Sequence, residues 1–216
     1  MRSVWKVVPL ICALSAVSAA DIVYTNGPDG HIGGNFLTSP GAGSQEFTLA
    51  TDSTLTSLTI STWTMGGGPS TLDWNISTGP TGTGELDSGS SAVTNTFNST
   101  SGNYSIYNSE ASLPAVPLSA GTYWLTLSSN GSSNGEYVYW GVNNPFSPAN
   151  ASYTCNDNCS AGGNGWINTS SQYDNVLELD GTIGSPTAVP EPSLVLLLGS
   201  VLLGLLAWKA GQRLAA

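Results

Sequence analysis

The chain has 216 residues, enough for one ordinary domain with targeting segments at its ends. It carries four Lys+Arg, fourteen Asp+Glu and one His, a net charge of -10, and no cation lies between Asp21 and Pro192. Such a body cannot neutralise phosphates, which excludes nucleic-acid binding, and it has neither a P-loop lysine nor an arginine clamp for nucleotides.

Residues 1–20 begin with Arg2 and Lys6, continue through an apolar stretch and end in Ser18-Ala19-Ala20. A positive start, an apolar middle and small residues at the end make a secretory signal peptide. Export is therefore expected.

Residues 21–183 show no sustained helical period. Short alternating runs are separated by Gly, Pro, Asn and Ser clusters, the pattern of an all-β domain. The runs predict strands over 22–25, 45–49, 54–62, 71–77, 92–98, 104–107, 121–128, 136–142 and 175–179. This many strands in one domain predicts a β-sandwich, jelly-roll-like in kind. Trp63, Trp74, Trp124, Trp140 and Trp166 are the bulky core candidates.

Cys155 and Cys159 are the two cysteines left after removal of the signal peptide, within a Gly/Asn-rich connection from Asn143 to Asn168. An even count in an exported chain predicts a disulfide. Two thiols alone are too few for a metal, and no histidine is near them in sequence.

Catalytic patterns are thin. Gly131-Ser132-Ser133-Asn134-Gly135 fits G-x-S-x-G, but a nucleophile elbow needs a downstream histidine. The one histidine, His31, lies upstream in the Gly-rich stretch from Gly27 to Gly34 and reads as a solvated loop residue. Glu85/Asp87 and Glu178/Asp180 are carboxylate pairs of the type used on glycosidic bonds. Each pair is too close in sequence to flank a substrate, so a solvated turn and a solvated strand face are expected. No enzyme and no resident cofactor are expected. Asp29, Asp157 and Asp174, with Asn156, Asn158 and Asn175, offer hard oxygen ligands for a structural Ca²⁺, although no EF-hand loop is present. Tyr137, Tyr139 and Trp140 form an aromatic group that can stack on sugars, and they support a carbohydrate-binding module as an alternative function.

After a linker at 184–188, residues 189–213 contain Pro190-Glu191-Pro192, an uncharged apolar run at 194–208, then Lys209 and Arg213. As a helix the run is about 22 Å long, below the ~30 Å hydrocarbon core, so Trp208 and Lys209 must extend it at the interface. The trailing cations keep the tail cytoplasmic. This order of motif, helix and basic residues resembles the PEP-CTERM sorting signal. The family usually ends in an arginine cluster, where this chain has only Lys209 and Arg213. The resemblance implies recognition by a membrane processing enzyme, exosortase, and delivery to the cell surface or extracellular matrix. It places the chain in a Gram-negative bacterium that makes exopolysaccharide, the setting of a biofilm. Phe47-Thr-Leu, Ala120-Gly121-Thr-Tyr-Trp-Leu-Thr-Leu, Tyr139-Trp140 and Leu177-Glu-Leu-Asp-Gly also resemble, in order, β-sandwich ectodomains found ahead of such tails. The expected function is a non-enzymatic envelope or matrix protein with a structural or adhesive role. A GPI-anchored surface protein is a further alternative, but such signals end apolar and this chain ends in a basic segment.

Overall fold

The computed structural model describes residues 20–143, 151–157, 159–169 and 173–184. The expected signal peptide, Pro190-Glu191-Pro192, the apolar run, Lys209 and Arg213 lie outside the described residues, as does Asn158. The chain divides after Thr182, with Ile183–Ala216 forming a second unit.

Among the described residues the protein is all-β. In chain order the strands are β1 (Asp21–Thr25), β2 (Gly34–Phe36), β3 (Ala42–Leu49), β4 (Ser53–Thr64), β5 (Thr71–Ser77) and β6 (Glu85–Ser101), then β7 (Tyr104–Leu118), β8 (Gly121–Ser129), β9 (Val138–Gly141), β10 (Ser152–Cys155), β11 (Trp166–Asn168) and β12 (Leu177–Ile183). A 3₁₀ turn at Pro80–Gly82 precedes β6. The strands join in one antiparallel sheet of order β1-β12-β4-β7-β6-β5-β8-β3-β10-β11, with β9 attached to β4 and β2 to β9. The sheet curls into a half-barrel.

Curling follows from β6. Its first half, up to Ala92, pairs with β5, and its second half, from Val93, pairs with β7. One strand thus belongs to both halves of the sheet and carries the bend between them. The halves then meet: Tyr24 on β1 and Phe47 on β3, far apart in strand order, have ring centroids 5.8 Å apart. Leu58 and Ile60 of β4, Leu72 and Ile76 of β5 and Leu125 and Leu127 of β8 join one buried cluster. Alternation turns one face of each strand toward that cluster, and burial of this apolar area is the main stabilising term.

Two tryptophans fix the approach of the layers. Trp140 of β9 is fully buried, and its indole Nε1–H donates to the Val176 carbonyl at 2.6 Å. It covers Gly43 of β3 so closely that a Cβ there would lie 2.8 Å from the ring. Trp74 of β5 lies opposite Gly89 of β6, where a Cβ would again come within 2.8 Å, and its indole donates to Ser91. Trp63 and Trp124 are buried outside this central cluster, and Trp166 is only half-buried near the sheet edge. Trp166 is therefore not a core residue. It sits on a three-residue strand at the edge of the sheet.

Several expected boundaries shift. The runs at 92–98 and 104–107 are parts of one long hairpin, β6–β7, and Glu85 and Asp87 lie in β6 rather than in a turn. Pro114 and Pro117 masked the continuation of β7. They are accommodated because residues beyond Ser112 pair only with β4, across a register shift that inserts extra residues on β7. The connection from Asn143 to Asn168 contains two strands, β10 and β11, and Cys155 at the end of β10 is joined to Cys159 with Cα atoms 5.6 Å apart.

Amides replace ion pairs where β9 and β12 diverge beside β4. The Asn175 N–H donates to Gln45 Oε1 at 2.8 Å, and Asn35 Nδ2 donates to Asn175 Oδ1 at 2.7 Å. Asn26 Nδ2 donates to the Asn175 carbonyl, while its Oδ1 accepts from the Leu177 N–H. Gln45 and Asn175 are fully buried, so their hydrogen bonds satisfy groups that water cannot reach.

Candidate functional site

Strand parity decides which aromatics face outward. On β9, Val138 and Trp140 point into the core, so Tyr139 and Tyr137 point away from it. Tyr139 is paired with Phe36 of β2 on one side and with Trp63 of β4 on the other. Trp63 in turn is paired with Ile106 of β7. Cross-strand partners share a face. Phe36, Tyr139, Trp63 and Ile106 therefore form a row across four strands, about 14 Å at the usual strand spacing.

The aromatic members of the row, with Tyr137 and Tyr104, form one continuous cluster. Phe36 meets Tyr139 at 5.7 Å and Tyr137 at 5.4 Å, between ring centroids. Tyr104, two residues before Ile106, meets Tyr139 edge-on at 5.9 Å and Trp63 at 6.0 Å. An open cleft of about 510 Å³ runs over this cluster, lined by Trp63, Tyr104 and Tyr139 with Ile32, Met65 and Asn103. Tyr137 is 60% exposed beside it, and Met65 on its rim is 59% exposed. The Tyr139 hydroxyl is pushed above the usual phenol range by burial, then by Tyr104 and Tyr137, with a hydrogen bond to Tyr104 adding to the effect. The cleft wall is uncharged at neutral pH.

Asp29 anchors the wall. Its carboxylate accepts hydrogen bonds from the Trp63 indole at 2.7 Å, from the His31 N–H at 2.6 Å and from the Ser61 hydroxyl. His31 turns with φ at 56° and is exposed, its ring 6.5 Å from Trp63 and edge-on to it. His31 is a loop histidine as expected, but the loop is folded over a tryptophan.

No protein-family model matches this chain, and no curated protein matches it.

Of the three residues expected to stack on sugars, Tyr137 and Tyr139 lie in the cleft cluster and Trp140 does not. Trp140 follows Tyr139 directly, so the alternation of the strand sends it into the core. Phe36, Trp63 and Tyr104 complete the cluster; Trp63 reads from sequence as a core residue, and nothing in the sequence marks Phe36 or Tyr104. They sit on three other strands, and only register brings them together.

The remaining candidates separate. Among the described residues, no group of three or more His, Cys, Asp or Glu is arranged to hold a metal ion. Asp29, Asp157 and Asp174 thus do not form one Ca²⁺ site, and the Asn175 side chain is engaged by Asn35. Ser132 lies in the turn between β8 and β9, where its hydroxyl accepts from the Glu136 N–H at 2.9 Å. A nucleophile elbow leads from strand to helix, and this turn leads from strand to strand. Glu85 accepts from Asn75 and from Ser88, and Asp87 from the Ser88 N–H. Glu178 and Asp180 lie on β12. Burial raises the Glu178 pKa, and the Asp180 charge raises it further, while Asp180 accepts from Ser57 at 3.1 Å.

Proposed function

We propose that the chain is a non-enzymatic exported protein of the cell envelope or matrix, and that its β-domain binds carbohydrate through the outer-face aromatic cleft. The observation carrying this reading is the cluster of Trp63, Tyr104 and Tyr139 beneath an open cleft. Ring faces and edges match the C–H faces of a pyranose, and the hydroxyls of Tyr104, Tyr139 and Ser101 supply the few polar groups that orient a ligand. A structural or adhesive role in a polysaccharide matrix follows from such binding.

The curled sheet, with both halves on one core, supports the finer description of a jelly-roll-like β-sandwich. Delivery is assigned to residues 189–213. Pro190-Glu191-Pro192, the apolar run and Lys209 with Arg213 act as a PEP-CTERM-like signal for an exosortase-type enzyme, with the helix as the membrane anchor. Deletion of Pro190–Pro192 is expected to retain the protein in the inner membrane. Undiminished appearance at the cell surface would contradict the sorting role.

Binding is tested by electrophoresis through gels that contain neutral polysaccharides. The full chain is expected to be retarded. Tyr139→Ala and Tyr104→Ala are each expected to weaken binding about tenfold or more, as for a buried aromatic contact. Equal retardation of the variants would remove the cleft from the binding reaction.

A further inference from the structure

A second recess lies on the same sheet face as the aromatic cleft, on the other side of the Asp29 loop. Outward residues on β4 continue from Trp63 through Ser61 to Thr59. Ser61 and Thr59 line a second open groove of about 480 Å³, together with Thr25 and Asp29 from the N-terminal segment, Asn98 of β6, Asn108 of β7 and Glu178 of β12. Asn108 stands four residues along β7 from Tyr104 of the first cleft, again on the outer face. Asp29 stands between the two: it lines the groove, and its carboxylate holds the indole of Trp63, which lines the cleft. From Thr59 to Trp63 the two recesses occupy about 13 Å of strand.

Resting on the carbohydrate reading above, we propose that the cleft and the groove form a single track for a neutral polysaccharide chain, aromatic at one end and amide- and hydroxyl-lined at the other. Length argues for a chain rather than a single sugar, since one saccharide unit cannot touch both Tyr104 and Asn108 recesses at once. The polar end offers Asn98, Asn108, Thr25 and Thr59, which both donate to and accept from sugar hydroxyls. Charge selects against acidic polymers. Asp29 and Glu178 line the groove, and no Lys or Arg lies between Asp21 and Pro192 to neutralise a uronate.

The test is calorimetric titration of the full chain, kept in mild detergent, with a length series of neutral gluco-oligosaccharides of α and β linkage. Neutral mannan and galactan and the anionic polymers alginate and polygalacturonate complete the panel. Affinity for a neutral series is expected to rise with length by roughly tenfold beyond the disaccharide, the worth of one or two added hydrogen bonds. Asn108→Ala is expected to erase that gain while leaving disaccharide binding unchanged, and Asn98→Ala, which removes the donor to Asn108 Oδ1, is expected to reduce the same gain. Disaccharide binding that does not strengthen with length would overturn the track and leave the aromatic cleft standing. Alginate or polygalacturonate bound as tightly as the neutral polymers would overturn the selectivity. No binding to any member of the panel would overturn both the track and the carbohydrate reading beneath it.

Discussion

Asp29 shows how much one side chain carries in a domain almost without ion pairs. Three donors from β4 and its own loop converge on its carboxylate, and two of them, the Trp63 indole and the Ser61 hydroxyl, belong to residues on the outer sheet face. Hydrogen bonds to an ionised acceptor are the strong kind. Asp29→Ala is expected to lower stability by about 1–3 kcal/mol, because the buried donors lose their partner. Asp29→Asn should restore part of that loss, and the denaturation midpoints of the two variants measure both. An Asp29→Ala variant as stable as wild type would contradict the anchoring role. Sequence alone could not assign this residue. Asp29 reads as one oxygen donor among several loop carboxylates, and its side-chain partners, Ser61 and Trp63, lie more than thirty positions away. The Tyr137–Trp140 segment was half legible for a related reason. Its aromatic content is plain, but the split between cleft and core depends on which parity faces Gly43.

At the level of elements, β12 carries a burden that pH can relieve. Burial, with Asp180 nearby, holds the Glu178 carboxyl above the usual glutamate range in the folded protein. Between the unfolded and folded pKa values the folded chain binds more protons than the unfolded chain. Stability therefore falls as the pH rises through that window, and the cost is complete above the folded pKa. The group is partly solvated, so the effect is small. Glu178→Gln should raise the melting temperature at neutral pH. The difference should vanish below about pH 4, near the ordinary glutamate pKa. A constant difference at both pH values would contradict this cause. Strand alternation made β4, β5, β8 and β12 legible in sequence, since Leu and Ile recur at every second position facing the core. It failed for β2, β10 and β11, which are too short to show a period. It also failed for the first half of β6. There Ser88-Gly89-Ser90-Ser91 looks like a turn but is extended under Trp74.

For the whole molecule, the separation of charge is the organising feature. All four cations belong to the terminal segments, and the domain between them displays hydroxyls, amides and carboxylates. Repulsion between an anionic polymer and this surface weakens as salt shortens the ~8 Å screening length, whereas neutral-glycan binding should be nearly independent of salt. The all-β class was legible because turn residues punctuate the chain at regular intervals. The curl that joins the two halves was not, because it depends on β6 changing partners midway. The cleft is a product of that tertiary arrangement, with residues drawn from β2, β4, β7 and β9. Its role is tested most directly by following the tryptophan indole N–H resonances while a neutral polysaccharide is added to the full chain. The Trp63 signal should move saturably while that of Trp140, bonded to the Val176 carbonyl inside the core, stays in place. A Trp63 signal that does not move, or one that moves only together with Trp140, would contradict a carbohydrate site on this face.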